Sequence, residues 1–160
     1  MNDKIDHTLA GDAAVAPPVV RFYDMNQISW GTFVGGPMAG CWFLSSNWKL
    51  LGEGGPAFRT MVTGFVLTMA LLVAVQFLPE NIPGFVVPAA YTAIMTAIAK
   101  AQQKVKLDEL LAKGGKAYPS WRALVISFLW LAITIVLFVA LGLALDAAFP
   151  GFLPDVEPHK

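Results

Sequence analysis

Four long apolar stretches, separated by charged or helix-breaking segments, constrain this chain more than any other feature. They run over Gln27–Leu44, Arg59–Leu78, Gly84–Ala99 and Ala123–Leu145. Mean hydropathy is +0.60, and 14% of the residues are charged against roughly 25% in soluble domains. A soluble fold of 160 residues buries too little surface to hide four such stretches in one core. Crossing ~30 Å of hydrocarbon takes roughly 20 mainly apolar residues, and a backbone in lipid must satisfy its own polar groups as a helix. The expectation is an all-α polytopic membrane protein. Its four transmembrane helices cover about residues 27–45, 59–78, 83–103 and 122–146, with a short interfacial helix in the third loop. Residues 1–26 read as a disordered or interfacial tail, 27–149 as the transmembrane domain and 150–160 as a C-terminal tail.

Charge orients these spans. Threading four helices puts residues 45–58 and 100–122 on one side, with Arg59 beside the first loop. That side holds eight Lys and Arg residues and three acids; the other holds three basic residues and eight acids. Lys and Arg in short loops mark the cytoplasmic face, so both loops are expected inside and both termini outside, in an inner (plasma) membrane. Met1–Val20 carries Asp3, Asp6 and Asp12 and has no apolar core, so it does not read as a signal peptide. Trp48, Tyr118 and Trp121 fall at the inner interface and Trp30 near the outer one, as aromatic belts require. Trp42 and Trp130 read as packing residues.

The first span is the unusual one. Gly31, Gly35, Gly36 and Gly40 form two small-xxx-small pairs that let a neighbouring backbone approach closely. Pro37 removes a donor, frees the carbonyl of Phe33 and should kink or break the helix. These five residues define either a packing surface or a broken helix lining a substrate path. In the third loop, Ala101, Val105, Leu107, Leu110 and Leu111 keep an apolar side, with Lys100, Gln103, Lys104, Lys106 and Lys113 elsewhere. That is an interfacial helix pattern. Gly114-Gly115 should end it, and Ser120 should cap the fourth helix. Asn47, Trp48, Lys49, Arg59, Lys104 and Lys106 are the candidate lipid head-group contacts.

Catalytic signals are missing. No ionisable residue sits at a central span position, where proton relays are usually built. His7 and His159 both lie in tails, which leaves no histidine pair for haem or metal. Ser45, Ser46, Ser127 and Cys41 have no neighbouring base. No catalytic residue, cofactor or metal is expected. Cys41 stands alone and forms no internal disulfide. The remaining span polar groups, among them Thr63, Thr68, Thr92, Thr96 and Thr134, are expected to bond within or between helices.

Several of these segments together resemble a group of small bacterial four-helix membrane proteins with no assigned activity. The resemblance rests on Phe33-Val34-Gly35-Gly36-Pro37-Met38-Ala39-Gly40 followed by Asn47-Trp48-Lys49-Leu50-Leu51-Gly52, on Ile82-Pro83 with Pro88-Ala89-Ala90-Tyr91, and on Gly114-Gly115-Lys116 with Tyr118 and Ser120-Trp121. It implies a bacterial inner-membrane location and no functional residues. The leading expectation is a non-enzymatic accessory or assembly component that packs through its first helix, in a homo-oligomer or with a membrane partner. The alternative is a small oligomeric transporter or channel using the Gly35-Gly36-Pro37 break. The bilayer is the expected surround; nucleic acid is not an expected partner.

Overall fold

A computed structural model describes residues 19–79 and 81–148. The expected tail segments 1–18 and 149–160, and Glu80 in the second turn, lie outside the described residues. Six elements follow in order: β1 (Arg21–Phe22), α1 (Met25–Leu50), α2 (Gly54–Val75), α3 (Val86–Ala112), β2 (Lys116–Ala117) and α4 (Ser120–Ala148). The all-α expectation holds. Two helices, α2 with 22 residues and α4 with 29, are long and apolar enough to cross a membrane. Four are not.

α1 and α3 are both long enough and fall short in composition; α1, moreover, does not run straight. Asn47 Nδ2 donates to the Tyr23 carbonyl at 2.8 Å, and the Tyr23 amide donates to Asn47 Oδ1 at 2.9 Å. At ~1.5 Å per residue an unbroken helix would hold residues this far apart in sequence on the order of 36 Å from each other. Gly36 breaks it, with φ 78° and ψ −179°, a region essentially reserved for glycine. Pro37 then opens the second half, where a missing amide and a fixed φ suit the first helical turn. A Cβ on Gly31 would meet the Phe43 ring, and one on Gly40 would meet Thr32. The two arms therefore lie side by side as a helical hairpin. Its 26 residues divide into 11 before Gly36 and 14 after, or roughly 16 and 21 Å of helix. Each arm is shorter than the ~30 Å thickness of a hydrocarbon layer.

Hydrogen bonds tie the open end of the hairpin. Asp24 and Gln27 form a reciprocal cap, with Gln27 N donating to Asp24 Oδ1 at 2.7 Å and Asp24 N to Gln27 Oε1 at 3.2 Å. Gln27 Nε2 donates to the Tyr118 carbonyl at 2.6 Å, and Gln103 Nε2 to the Leu44 carbonyl at 2.8 Å. β1 pairs in parallel with β2, Arg21 opposite Lys116. Both ends of α1, the start of α2, the end of α3 and the start of α4 thus share one basal end. The turn from α2 to α3 and the end of α4 are distal. All nine described Lys and Arg residues lie on the basal half: Arg21, Lys49, Arg59, Lys100, Lys104, Lys106, Lys113, Lys116 and Arg122.

Several expectations change with the hairpin. The first stretch, 27–45, is no end-to-end span, so the chain entering α1 lies on the same side as the loop after α3, not opposite it. The expected tail through residue 26 is folded from Arg21 onward, with Phe22 and Tyr23 buried. Trp30 packs against the same core as Trp42 and Trp130 instead of marking a distal interface. No separate interfacial helix forms in the third loop, because α3 continues unbroken to Ala112. Its inward face is Met95, Ala99, Gln103 and Leu107, four residues apart, while Val105 and Leu111 are exposed. Gly114 does end α3 with φ 88°: Gly115 N donates to the Leu110 carbonyl and Gly114 N to that of Leu111, the paired bonds of a glycine stop. Ser120 is the first residue of α4, not the residue before it.

α2, α3 and α4 pack on α1 and scarcely on one another. The core accordingly sits around the hairpin, from Tyr23, Ile28, Ala39, Phe43 and Leu44 to Met95, Ala99 and Ala123.

Candidate functional site at the hairpin tip

The tip joins two half-helices at mid-depth, and small residues set its neighbours. A Cβ on Gly35 would lie 2.7 Å from the Ser127 carbonyl oxygen, so α4 touches the first arm backbone to backbone. Ser127 can sit there because its hydroxyl donates to the Ala123 carbonyl at 2.8 Å within its own helix. A Cβ on Gly36 would lie 4.0 Å from Thr134 Oγ1. On the other side, Gly64 of α2 admits Cys41, with Met38 close by. Gly31, Gly35, Gly36, Pro37 and Gly40 are all buried, against elements of the same chain. Gly31, Gly35 and Gly40 stand within close contact of other residues of the same chain.

Pro37 frees the Phe33 carbonyl, and the structure supplies its donor. The Tyr91 hydroxyl of α3 donates to that oxygen at 3.3 Å. Two cavities adjoin this bond. One, of ≈ 440 Å³, runs along the first arm and α3 and is lined by Phe33, Ser29, Thr92, Thr96 and Lys100. The other, of ≈ 350 Å³, lies distally and includes Tyr91, Leu72, Pro83 and Phe138. Thr96 Oγ1 donates to Ser29 Oγ at 3.0 Å, whereas the buried hydroxyls of Thr92 and Thr68 make no hydrogen bond. Among the described residues no group of His, Cys, Asp or Glu could hold a metal ion. The chemistry available at the tip is hydrogen bonding by hydroxyls and backbone groups.

The candidate head-group residues separate into different places. Asn47 is 1% exposed; besides Tyr23 it donates to Gln103 Oε1 at 3.3 Å, so it fastens the hairpin, at the wall of a basal cavity. Trp48 is buried, with Lys106 Nζ 4.8 Å from the centre of its ring. Lys106 also forms an ion pair with Glu53. Arg59 lines a cavity of ≈ 330 Å³ with Cys41, Thr63 and Met95 between α1, α2 and α3. Lys104 is exposed on α3. Lys49 faces a separate basal cavity together with Arg21 and Arg122.

Tyr91, Gln27, Gln103 and Tyr23 carry the geometry without standing out as site residues in the sequence. Gln103 could have been found: it continues the four-residue spacing of Met95 and Ala99. The pairing of Tyr91 with Phe33 is visible only once the hairpin is folded. No family model, curated protein or solved structure matches the chain.

Proposed function

We propose that this is a multi-pass inner-membrane protein in which α2, α3 and α4 cross the bilayer and α1 enters only half-way. The basal end, which carries the basic residues, faces the cytoplasm by the positive-inside rule. In this reading the protein is a small oligomeric transporter or channel, with the broken first helix as its working element. One observation carries it: the Tyr91–Phe33 bond at the Gly35-Gly36-Pro37 break, with a cavity on either side. Non-helical backbone at membrane depth is tolerated where protein buries it or a water-filled cavity reaches it, and discontinuous helices are recurrent binding elements in transporters. At the break the permeant would be handled by hydroxyls and carbonyls, with Lys100 as the charged residue lining the cavity along the first arm.

Purified chain in liposomes should conduct a small ion or neutral solute, and Tyr91→Phe should change that flux while the protein stays folded. Reporters at the two termini should lie on opposite sides of the membrane. Flux no greater than in protein-free liposomes across a panel of ions and small solutes would sink the transport reading. A second reading, a non-enzymatic accessory or assembly component, is favoured by α4, of whose apolar window only 6% is buried. Recovery of a defined complex with another membrane protein by native mass spectrometry would establish it.

A further inference from the structure

At the basal end a cavity of ≈ 350 Å³ opens between the second arm of α1 and the start of α4. Three of its lining residues, Arg21, Lys49 and Arg122, are cationic and none is acidic. The described acids of this end are engaged or turned elsewhere. Asp24 caps α1, Glu53 pairs with Lys106, Asp108 lines a different cavity, and Glu109 is exposed on α3 and does not line this one. A further cation, Lys116, stands opposite Arg21 in the strand pair but outside the cavity lining, so like charges gather and repel one another at this end. An anion between such groups removes that repulsion.

The cavity also offers a hydroxyl. Tyr23 lines it and is 2% exposed. Its Oη lies beside the Arg122 guanidinium yet makes no hydrogen bond of good geometry. Burial pushes the Tyr23 phenol up from its ordinary pKa, and Arg122 offsets part of that, so the hydroxyl keeps its proton at neutral pH and is available as a donor. A buried hydroxyl left unbonded is unfavourable. Arg122 is itself held over the Tyr118 ring at 4.2 Å, which presents a planar fork suited to phosphate oxygens.

We propose that this cavity binds a phosphate-type anion, with Arg21, Lys49 and Arg122 as charge partners and Tyr23 as hydroxyl donor. On the membrane reading above, its source is the head group of an anionic phospholipid in the cytoplasmic leaflet, since basic pockets between helices on that side are typical head-group sites. Of the residues the sequence offers for head-group contact, Lys49 and Asn47 line this cavity, joined by Arg21, Arg122 and Tyr23, whereas Trp48, Arg59, Lys104 and Lys106 do not.

The test is native mass spectrometry of the full chain, purified in mild detergent, stripped of lipid and titrated with phosphatidylglycerol, phosphatidylcholine or inorganic phosphate. Phosphatidylglycerol should bind in preference to phosphatidylcholine. Arg122→Gln and Lys49→Gln should each weaken that binding roughly fivefold, and Tyr23→Phe should weaken it with the thermal unfolding profile retained. Arg59→Gln, in another cavity, should leave it unchanged. Competition by inorganic phosphate would assign the site to a soluble phosphate compound instead of a lipid. Wild-type affinity in both Arg122→Gln and Lys49→Gln, or an equal loss in Arg59→Gln, would reduce the site to general surface charge and overturn it. A chain that stays soluble without detergent would overturn the membrane reading alone, because the inorganic phosphate titration still decides the cavity.

Discussion

α1 and α4 are close in length, at 26 and 29 residues, and opposite in almost everything else. Fifteen residues of α1 are buried against two of α4. α1 is broken, glycine-rich and fastened by Asn47, Gln27 and Asp24, whereas α4 is continuous and apolar on every side. The difference shows where this fold keeps its specificity. A helix that is apolar all round makes no distinction between lipid and a neighbouring helix, so α4 is placed by Ala123 and Ser127, the two positions at which it is buried, with Ile126 and Trp130 packed beside them. α1 is defined by backbone geometry and hydrogen bonds, which have few alternatives. Substitutions should therefore act strongly in α1 and weakly in α4.

The largest expected effect is Gly36→Leu. Holding a side-chain residue at φ 78° and ψ −179° costs on the order of 1–3 kcal/mol, and the leucine side chain must also find room near Thr134. The variant should be recovered in much lower yield, with a clearly lower melting temperature in detergent. Wild-type yield and melting temperature would mean that the tip is not held by Gly36. Asn47→Ala comes next. It strips the buried amide and carbonyl of Tyr23 of their partner and takes a bond from Gln103, a loss of about 1–3 kcal/mol for each buried group left unbonded. Proteolysis near Arg21 should accelerate as the open end of the hairpin loosens. Unchanged cleavage there would show that β1 and the Asp24–Gln27 cap suffice to close it.

How much of this was legible follows the same division. The positions of α2 and α4 as apolar helices were plain, because length and hydropathy alone decide them. The break at Pro37 and the orphaned Phe33 carbonyl were legible too, since both follow from a missing amide. The fold-back was not. Hydropathy is the same for a straight helix and for one reversed at its centre, and only the pairs Tyr23–Asn47 and Gly31–Phe43 distinguish them. Those contacts depend on the glycine conformation at position 36, and Gly36 is equally at home in a mild kink. The basal cavity was half legible: Lys49 stood next to the interface in sequence, but Arg21 and Arg122 reach it only because the hairpin and the β1–β2 pair bring distant segments together. Gln103 was misplaced because it was grouped with neighbouring lysines, although its spacing from Met95 and Ala99 marks the buried face.

A smaller effect is expected for the ion pair of Lys106 with Glu53. The side chains are 43% and 36% exposed, so solvent screens them and such pairs contribute roughly 0–1 kcal/mol. Glu53→Gln should shift the melting temperature little, and less at high salt than at low. A large shift would place Glu53 among the elements that fasten the base of the hairpin, alongside Asn47.

The smallest effect should come from Gly142→Ala in α4, and it is the sharpest check on the comparison. Nothing lies within 4 Å of a Cβ built there, and alanine is favoured over glycine in a helix interior by up to about 1 kcal/mol. The variant should therefore match the wild type or melt slightly higher. The same change at Gly35 would drive a methyl group against the backbone of Ser127 and should destabilise by roughly 1–3 kcal/mol. If Gly142→Ala instead proved as damaging as Gly35→Ala, then α4 would be closely packed where the single chain leaves it open. Its neighbour there would have to be a second copy or another membrane protein, and the distal half of α4 would belong to an interface instead of to lipid.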